Sequence, residues 1–226
     1  MLFFILIVSL LILSCTTGDH QTYDDSEKQE FELPAPTLSS SLSVEEAMAQ
    51  RRSVRSYSDT PVTIDEIGQL LWAAQGITDE NRDYRTAPSA GATFPLEIYV
   101  AIRGSETLPD GVYAYHARRH LLKRHMEGDL RADIRRVALQ QESITEASVV
   151  LLITGVLSRI EARYGDRAMR FMYMEAGHVA QNIYLQSESM GIGTVVIGAF
   201  DDSGLQSVLN LPDGEYPLYI MPIGKP

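Results

Sequence analysis

Arg51, Arg52 and Arg55 fall within five positions of one another, with Ser53 between them, in a chain whose formal charge is −11. Guanidinium forks, a hydroxyl and backbone N–H groups in one short turn suit bidentate, charge-assisted contacts to a phosphate. The same arginines can equally form surface ion pairs with Glu45, Glu46 and Asp59, because short basic runs are weak motifs. Two readings therefore stand side by side: solvated ion pairs, or a site for one small anion. A nucleic acid is not an expected partner, since neutralising a phosphate polymer needs a broad basic face.

Other chemistries lose their support quickly. Cys15 is the one cysteine among 226 residues, which excludes an intrachain disulfide and a cysteine zinc site. The five histidines show no HExxH spacing, and no metal site is expected. The run GIGTVVIG is not a dinucleotide fingerprint: the third glycine falls at Val196, and the segment enters a strand instead of leaving one. Neither a Walker loop nor a GxSxG elbow is present.

The elements that must position the arginines begin with two helices. Ser43 and Glu46 form a capping box for a helix ending near Arg51. Thr63 and Glu66 form another, for a helix stopped by Gly76, with Ile64, Ile67, Leu71 and Ala74 on one face. Residues 96–103 read as a strand, and 111–125 as two strands around a turn near Arg118 and Arg119. Arg119, His120, Lys123, Arg124 and His125 are expected on the wet face of that hairpin. Asp129 opens a further helix. The β-branched run ASVVLLITGV reads as a central strand buried on both faces.

The longest helix is expected from about Asp166 to Met190, with Met172, Ala176, Val179, Ile183 and Met190 toward the core. Glu175, His178, Gln181 and Asn182 fall on or near its other faces, and His178 is expected to be a hydrogen-bonded interior histidine. GTVVIGAF gives a strand, DDSGLQSVLN a short helix and EYPLYIMPIG a closing strand. Strands and helices do not alternate regularly, so the expected class is α+β, a central mixed sheet flanked by helices. Composition agrees with one globular domain, at 45% hydrophobic and 22% charged residues.

The N-terminus reads differently. Residues 2–13 form an apolar run too short to cross a bilayer, which takes about 20 residues, but suited to a signal peptide. Ser14 and Cys15 follow, resembling a bacterial lipoprotein processing site, with Cys15 as the residue to be lipidated. No lysine or arginine precedes the run, and Leu13 is bulkier than usual at its place. The expected organisation is a signal peptide over 1–15, a flexible acidic tether over 16–40 and a folded domain over 41–226. That makes the protein exported and membrane-anchored, or cytoplasmic if the run is not a signal.

Four stretches in order resemble the nitroreductase-like, FMN-dependent superfamily: RRSVRSY at 51, APSAGATFPLEIYV at 87, MEAGHVAQNIYLQSESMGIGTVVIGAFDD at 174 and LYIMPIGKP at the end. The second and third are most similar to the SagB/ThcOx-type, azoline-oxidising branch. The resemblance implies a homodimer with the long helix in the interface and FMN held between subunits. It implies that Arg51, Arg52, Ser53 and Arg55 hold the FMN phosphate and ring edge. It further implies that Pro88, Ser89, Ala90 and Gly91 reach the flavin of the partner subunit. Val196, Ile197, Gly198 and Ala199 would lie against the isoalloxazine, and Lys225 would help bind the phosphate.

The physical needs of FMN agree with that layout: arginines at one end, glycine-permitted backbone approach to a large apolar ring at the other. The activity implied is ping-pong hydride transfer through FMN from NAD(P)H or another donor to a small-molecule acceptor. Azoline oxidases use a Lys-Tyr pair before a glycine; here the residues are Arg163, Tyr164 and Gly165. Arginine stays protonated and cannot be the base, which leaves Tyr164 as a proton donor or a packing residue. The alternatives are a non-catalytic exported lipoprotein on a flavin fold, and a SagB-type dehydrogenase acting on a peptide or metabolite.

Overall fold

The computed structural model describes residues 29–226. The apolar run, Cys15 and residues 16–28 of the expected tether lie outside them. Seven strands form one sheet, in the spatial order β1 (Glu30–Glu32), β6 (Leu121–Glu127), β5 (Gly111–His116), β4 (Leu96–Ile102), β7 (Val149–Val156), β9 (Glu215–Gly224) and β8 (Gly193–Thr194). A separate ribbon pairs β2 (Ile77–Asp79) with β3 (Tyr84–Arg85). The α+β class is as expected, but every pairing in the large sheet is antiparallel instead of mixed. Short reversals such as residues 117–120 between β5 and β6 turn the chain back on itself, which only antiparallel neighbours allow.

Strand alternation sends side chains to two separate cores. Leu96, Ile98, Val100 and Ile102 of β4 face α2 (Ile64–Gln75) and α6 (Ala168–Ser189). Tyr99 and Ala101 face α3 (Arg131–Val137), α4 (Ser143–Glu146) and α7 (Asp202–Val208). Between β4 and β9, β7 is buried from Val149 through Gly155, the two-sided burial its unbroken apolar run requires. Ile67 and Leu71 of α2 meet Met172, Ala176, Val179 and Ile183 of α6 in the first core.

Both capping boxes form. Glu46 N donates to Ser43 Oγ at 3.1 Å and Ser43 N to Glu46 Oε2 at 2.9 Å, opening α1 (Val44–Gln50). Thr63 and Glu66 do the same for α2.

Four local readings change. Residues 30–32, inside the stretch expected to be a tether, add strand β1 to the sheet edge. Phe31 turns inward there, edge-on to Tyr113 at 5.6 Å, while Glu30 makes a two-pronged ion pair with Arg119. Strand β8 is only Gly193–Thr194; the chain then leaves the sheet and returns at one bridge, Ile197 to Ile220. A helix the periodicity did not reveal, α5 (Leu157–Tyr164), follows β7 directly, so α6 starts at Ala168.

Finally, the hairpin face at 119–125 is partly internal. His120 bridges the Tyr115 hydroxyl and the Pro34 carbonyl, both at 2.9 Å, and His125 bonds the Leu209 carbonyl at 2.7 Å. Among the described residues no helix is long and apolar enough to cross a membrane, and no cluster of side chains suits a metal ion.

Candidate functional site

Helix α1 ends where Arg51 N donates to the Ala47 carbonyl at 2.9 Å. The chain then runs extended along the end of the sheet. Val54 N donates to the Thr194 carbonyl at 2.9 Å, and Ser58 N to the Lys225 carbonyl at 2.8 Å. The Tyr57 hydroxyl lies 2.7 Å from the Val54 carbonyl and 3.2 Å from that of Pro222. Burial pushes this phenol well above its ordinary pKa, so it stays a neutral donor. Gly193 makes the close approach possible: a Cβ there would fall 2.7 Å from Val54 Cγ1.

The arginine turn is joined to the late loop by a residue the sequence did not single out, Tyr184 of α6. Its ring lies under the Arg51 guanidinium, 5.0 Å from carbon to centroid, a cation–π contact. Its hydroxyl accepts the Val196 N–H at 2.9 Å and lies 3.0 Å from Ser53 Oγ. Apolar periodicity marks Tyr184 only as one more large residue on α6. What distinguishes it is which two loops fold against that helix, and no spacing in the sequence encodes this.

The predicted cluster is only partly assembled. Arg55 is exposed and makes no hydrogen bond or ion pair among the described residues. Arg52 turns back, its Nη1 donating to the carbonyls of Ala49, Gln50 and Arg51 at 2.8–3.1 Å. It thereby caps the carbonyl end of α1. The Lys225 ammonium is ion-paired with Glu66 at the start of α2. In the late loop, Ile197 exchanges both backbone bonds with Ile220, and Gly198 and Ala199 stay exposed.

The Pro88–Gly91 loop is held on α6 by Glu175, whose Oε1 accepts the Ala90 N–H at 2.7 Å. Glu175 is buried, against the expectation that it sits away from the core, whereas His178, expected inside, is exposed. Desolvation raises the Glu175 pKa, and the Ala90 N–H and Ser89 hydroxyl oppose the rise. Ser89 Oγ also accepts the Phe94 N–H at 2.9 Å. Gly91 adopts φ +60°, and Arg163 Nη1 donates to its carbonyl at 3.0 Å. Tyr164 packs against Phe171 at 4.6 Å between centroids.

Glu175 and Tyr184 are nine residues apart on α6, about 13 Å along the axis at 1.5 Å per residue. The Pro88–Gly91 loop and the arginine turn are thus held at separate places on one helix. From Arg170 to Gln181, α6 presents an exposed face of Arg170, Tyr173, Met174, Gly177, His178 and Gln181. A cleft of about 640 Å³ lies on another side, between residues 34–47, α2 and the C-terminal half of α6.

The arrangement suits an anionic group with a flat apolar extension. Arg55 has a guanidinium with no partner among the described residues, Ser53 has a hydroxyl at the surface, and Gly198 and Ala199 expose backbone in the late loop. The phosphate and ring of FMN have these needs, and the residues present fit that group.

Residues 48–225 match the Nitroreductase family, and the chain belongs to it. It is 42% identical over 195 residues to a protein of Methanocaldococcus jannaschii named as a candidate nitroreductase, covering 86% of this chain and 96% of that one. It is 24% identical over 194 residues to the trifolitoxin operon protein TfxC of Rhizobium leguminosarum, covering 79% of this chain and 54% of TfxC. A crystal structure of a candidate nitroreductase from Ralstonia eutropha superposes with a TM-score of 0.79 at 26% identity, covering 88% of this chain and 90% of that one. The family is one of oxidoreductases.

Proposed function

We propose that this oxidoreductase is FMN-dependent and works by a ping-pong cycle, taking reducing equivalents from NAD(P)H or another donor and passing them to a small-molecule acceptor. The observation that carries the reading is the Tyr184 hydroxyl, which ties Ser53 of the arginine turn to Val196 of the late loop. A phosphate-binding turn and a backbone ledge for a ring are thereby fixed in one frame.

Bound FMN would supply the hydride and electron chemistry, with the protein supplying orientation and electrostatics. Arg51, Ser53 and Arg55 would hold the phosphate, joined by Lys225 if it leaves Glu66. Arg52 would act mainly by closing α1. The late loop from Val196 to Ala199 would lie along the ring, with the exposed backbone of Gly198 and Ala199 nearest it.

The second loop, Pro88 to Gly91, is held on α6 about 13 Å along the axis from the arginine turn. This supports a dimer in which it reaches the partner's cofactor. The exposed Tyr173 and Met174 face supports α6 as the interface helix, since large apolar patches mark such surfaces.

The experiment is a flavin spectrum of purified protein reconstituted with FMN, repeated on Arg51→Ala and Arg55→Ala. Each arginine removed should weaken FMN by roughly 10- to 100-fold, as expected for hydrogen bonds to a charged group. Absence of flavin absorbance in the parent protein would overturn the reading. Anaerobic reduction by NADH, NADPH or a quinol, then reoxidation by nitroaromatics or quinones, identifies donor and acceptor. A flavin that no pair turns over favours a binding role.

The similarity to TfxC supports a second reading, a SagB-type dehydrogenase tailoring a peptide or metabolite. In that reading Tyr164 would be the proton donor, because Arg163 is permanently charged and bound to the Gly91 carbonyl. We also propose export and anchoring through a lipid on Cys15. Mass analysis of native protein from the membrane fraction tests it, and a soluble chain retaining Met1 would count against it.

A further inference from the structure

A second cavity, of about 400 Å³, lies behind the Pro88–Gly91 loop, against the first-core face of β4 and β5. Three guanidinium groups line it: Arg85 from β3, Arg118 from the β5–β6 turn and Arg159 from α5. Arg118 Nη2 is 2.9 Å from Asp83 Oδ1, and Arg159 is ion-paired with Glu97. Arg85 is different. Its Nη1 donates to a neutral group, Gln75 Oε1, at 3.0 Å, and its guanidinium stacks on the Phe94 ring at 4.5 Å. Its Nε is buried with no hydrogen-bond partner.

A half-buried guanidinium with one buried N–H unmatched and no carboxylate in direct contact carries a desolvation cost that more distant charges offset only in part. Burial lowers its pKa, and the nearby Arg159 charge adds to that effect while Asp83 and Glu97 oppose it. Three guanidiniums against two carboxylates leave this neighbourhood one positive charge in excess. A monoanion balances it; a phosphate dianion overshoots. The rest of the lining is mixed: Phe94, Leu96, Ile98, Tyr115 and Ala117 give apolar and aromatic surface, and Gln75, Thr93 and His116 are polar.

We propose that this cavity binds a small planar monocarboxylate, its carboxylate on Arg85 and its apolar body against Phe94 and Tyr115. The site does not depend on flavin: none of its residues belongs to the arginine turn or the late loop. Because Thr93 and Phe94 line it, occupancy would brace the loop that presents Pro88–Gly91.

Benzoate is a suitable probe, with inorganic phosphate and chloride as controls at constant ionic strength, measured by calorimetry on the flavin-loaded and flavin-free protein. The expected result is saturable benzoate binding, at least 10-fold tighter than phosphate. It should weaken at least 10-fold in Arg85→Gln and remain in the Arg51→Ala/Arg55→Ala double variant. The exposed Arg118→Gln, which removes charge at the cavity mouth without touching a core residue, should weaken binding about 3-fold and guards against an Arg85 variant that does not fold. No saturable binding, equal binding of phosphate, or loss of benzoate only on changing Arg51 and Arg55 would overturn the proposal. Flavin absorbance, read separately, keeps failure here distinct from failure of the FMN reading.

Discussion

Tyr184 and Val196 are joined by one hydrogen bond, from the Val196 N–H to the tyrosine hydroxyl at 2.9 Å, and that bond sets the late loop beside the arginine turn. The hydroxyl accepts from Val196 and keeps its own proton to donate, with Ser53 Oγ 3.0 Å away. A phenylalanine at 184 keeps the ring under Arg51 and removes both polar links. Tyr184→Phe should therefore lower stability by about 1 to 2 kcal/mol in urea unfolding. FMN affinity should fall about tenfold by fluorescence titration. An unchanged FMN affinity would show that the two loops hold their places without the hydroxyl.

The approach of Val54 to Gly193 makes a second prediction. An alanine Cβ at 193 falls 2.7 Å from Val54 Cγ1 and 2.9 Å from Val54 Cβ, so the arginine turn must move outward. Overpacking of this kind costs about 1 to 3 kcal/mol. Gly193→Ala should weaken FMN binding, and adding Val54→Ala should recover most of the loss, since the two positions are in contact. Additive losses in the double variant would mean that the clash is not what displaces the turn.

Much of this frame was legible in the sequence. Ser43 with Glu46 and Thr63 with Glu66 state the two helix starts outright, because capping is local chemistry. The run at 149–155 states a central strand because only two-sided burial tolerates it. Glu175 and Lys225 were not legible in the same way. A glutamate on a helix reads as solvated, and only the folded loop at Ala90 supplies the donor that lets it be buried. Lys225 is marked for the phosphate only by the family resemblance, and its pairing with Glu66, 159 residues away, is supplied by the fold alone. Strand β1 was hidden by its composition: Phe31 is flanked by two glutamates, and its partners, the β6 ladder and Arg119, lie about 90 residues further along the chain.

Glu175 gives the stability a pH dependence with a definite sign. Burial raises its folded pKa above the ordinary 4.5, so the folded state holds the proton more tightly than the unfolded chain does. Its contribution is fully present below 4.5 and is lost as pH rises through the raised folded value. Glu215, buried beside Thr154 and Tyr99, is raised for the same reason and acts in the same direction. Glu175→Gln keeps an oxygen for the Ala90 N–H and removes the ionisation. Thermal unfolding from pH 4 to 8 should show a flatter profile for Glu175→Gln than for the parent, with the gain at the alkaline end. A parallel pair of curves would mean that Glu175 is solvated enough to ionise normally.

Arg163 connects α5 to the Pro88–Gly91 loop through the Gly91 carbonyl, and its side chain fills the space where a Cβ on Gly91 would be. Arg163→Ala removes the tether but leaves the buried Ala90 to Glu175 bond intact. As an exposed position it should cost no more than about 0.5 kcal/mol in stability. If the loop presents Pro88 and Ser89 to a cofactor, turnover should fall by roughly tenfold with melting almost unchanged, since a loosened positioning group costs catalysis before it costs folding. Arg163→Lys should recover part of the rate, because an ammonium can still reach one carbonyl. Gly91→Ala should act more severely than Arg163→Ala. It adds a Cβ at φ +60°, where a side chain is strained, and drives it to 2.7 Å from Arg163 Nε. Equal turnover in Arg163→Ala and the parent would confine the arginine to the surface of α5.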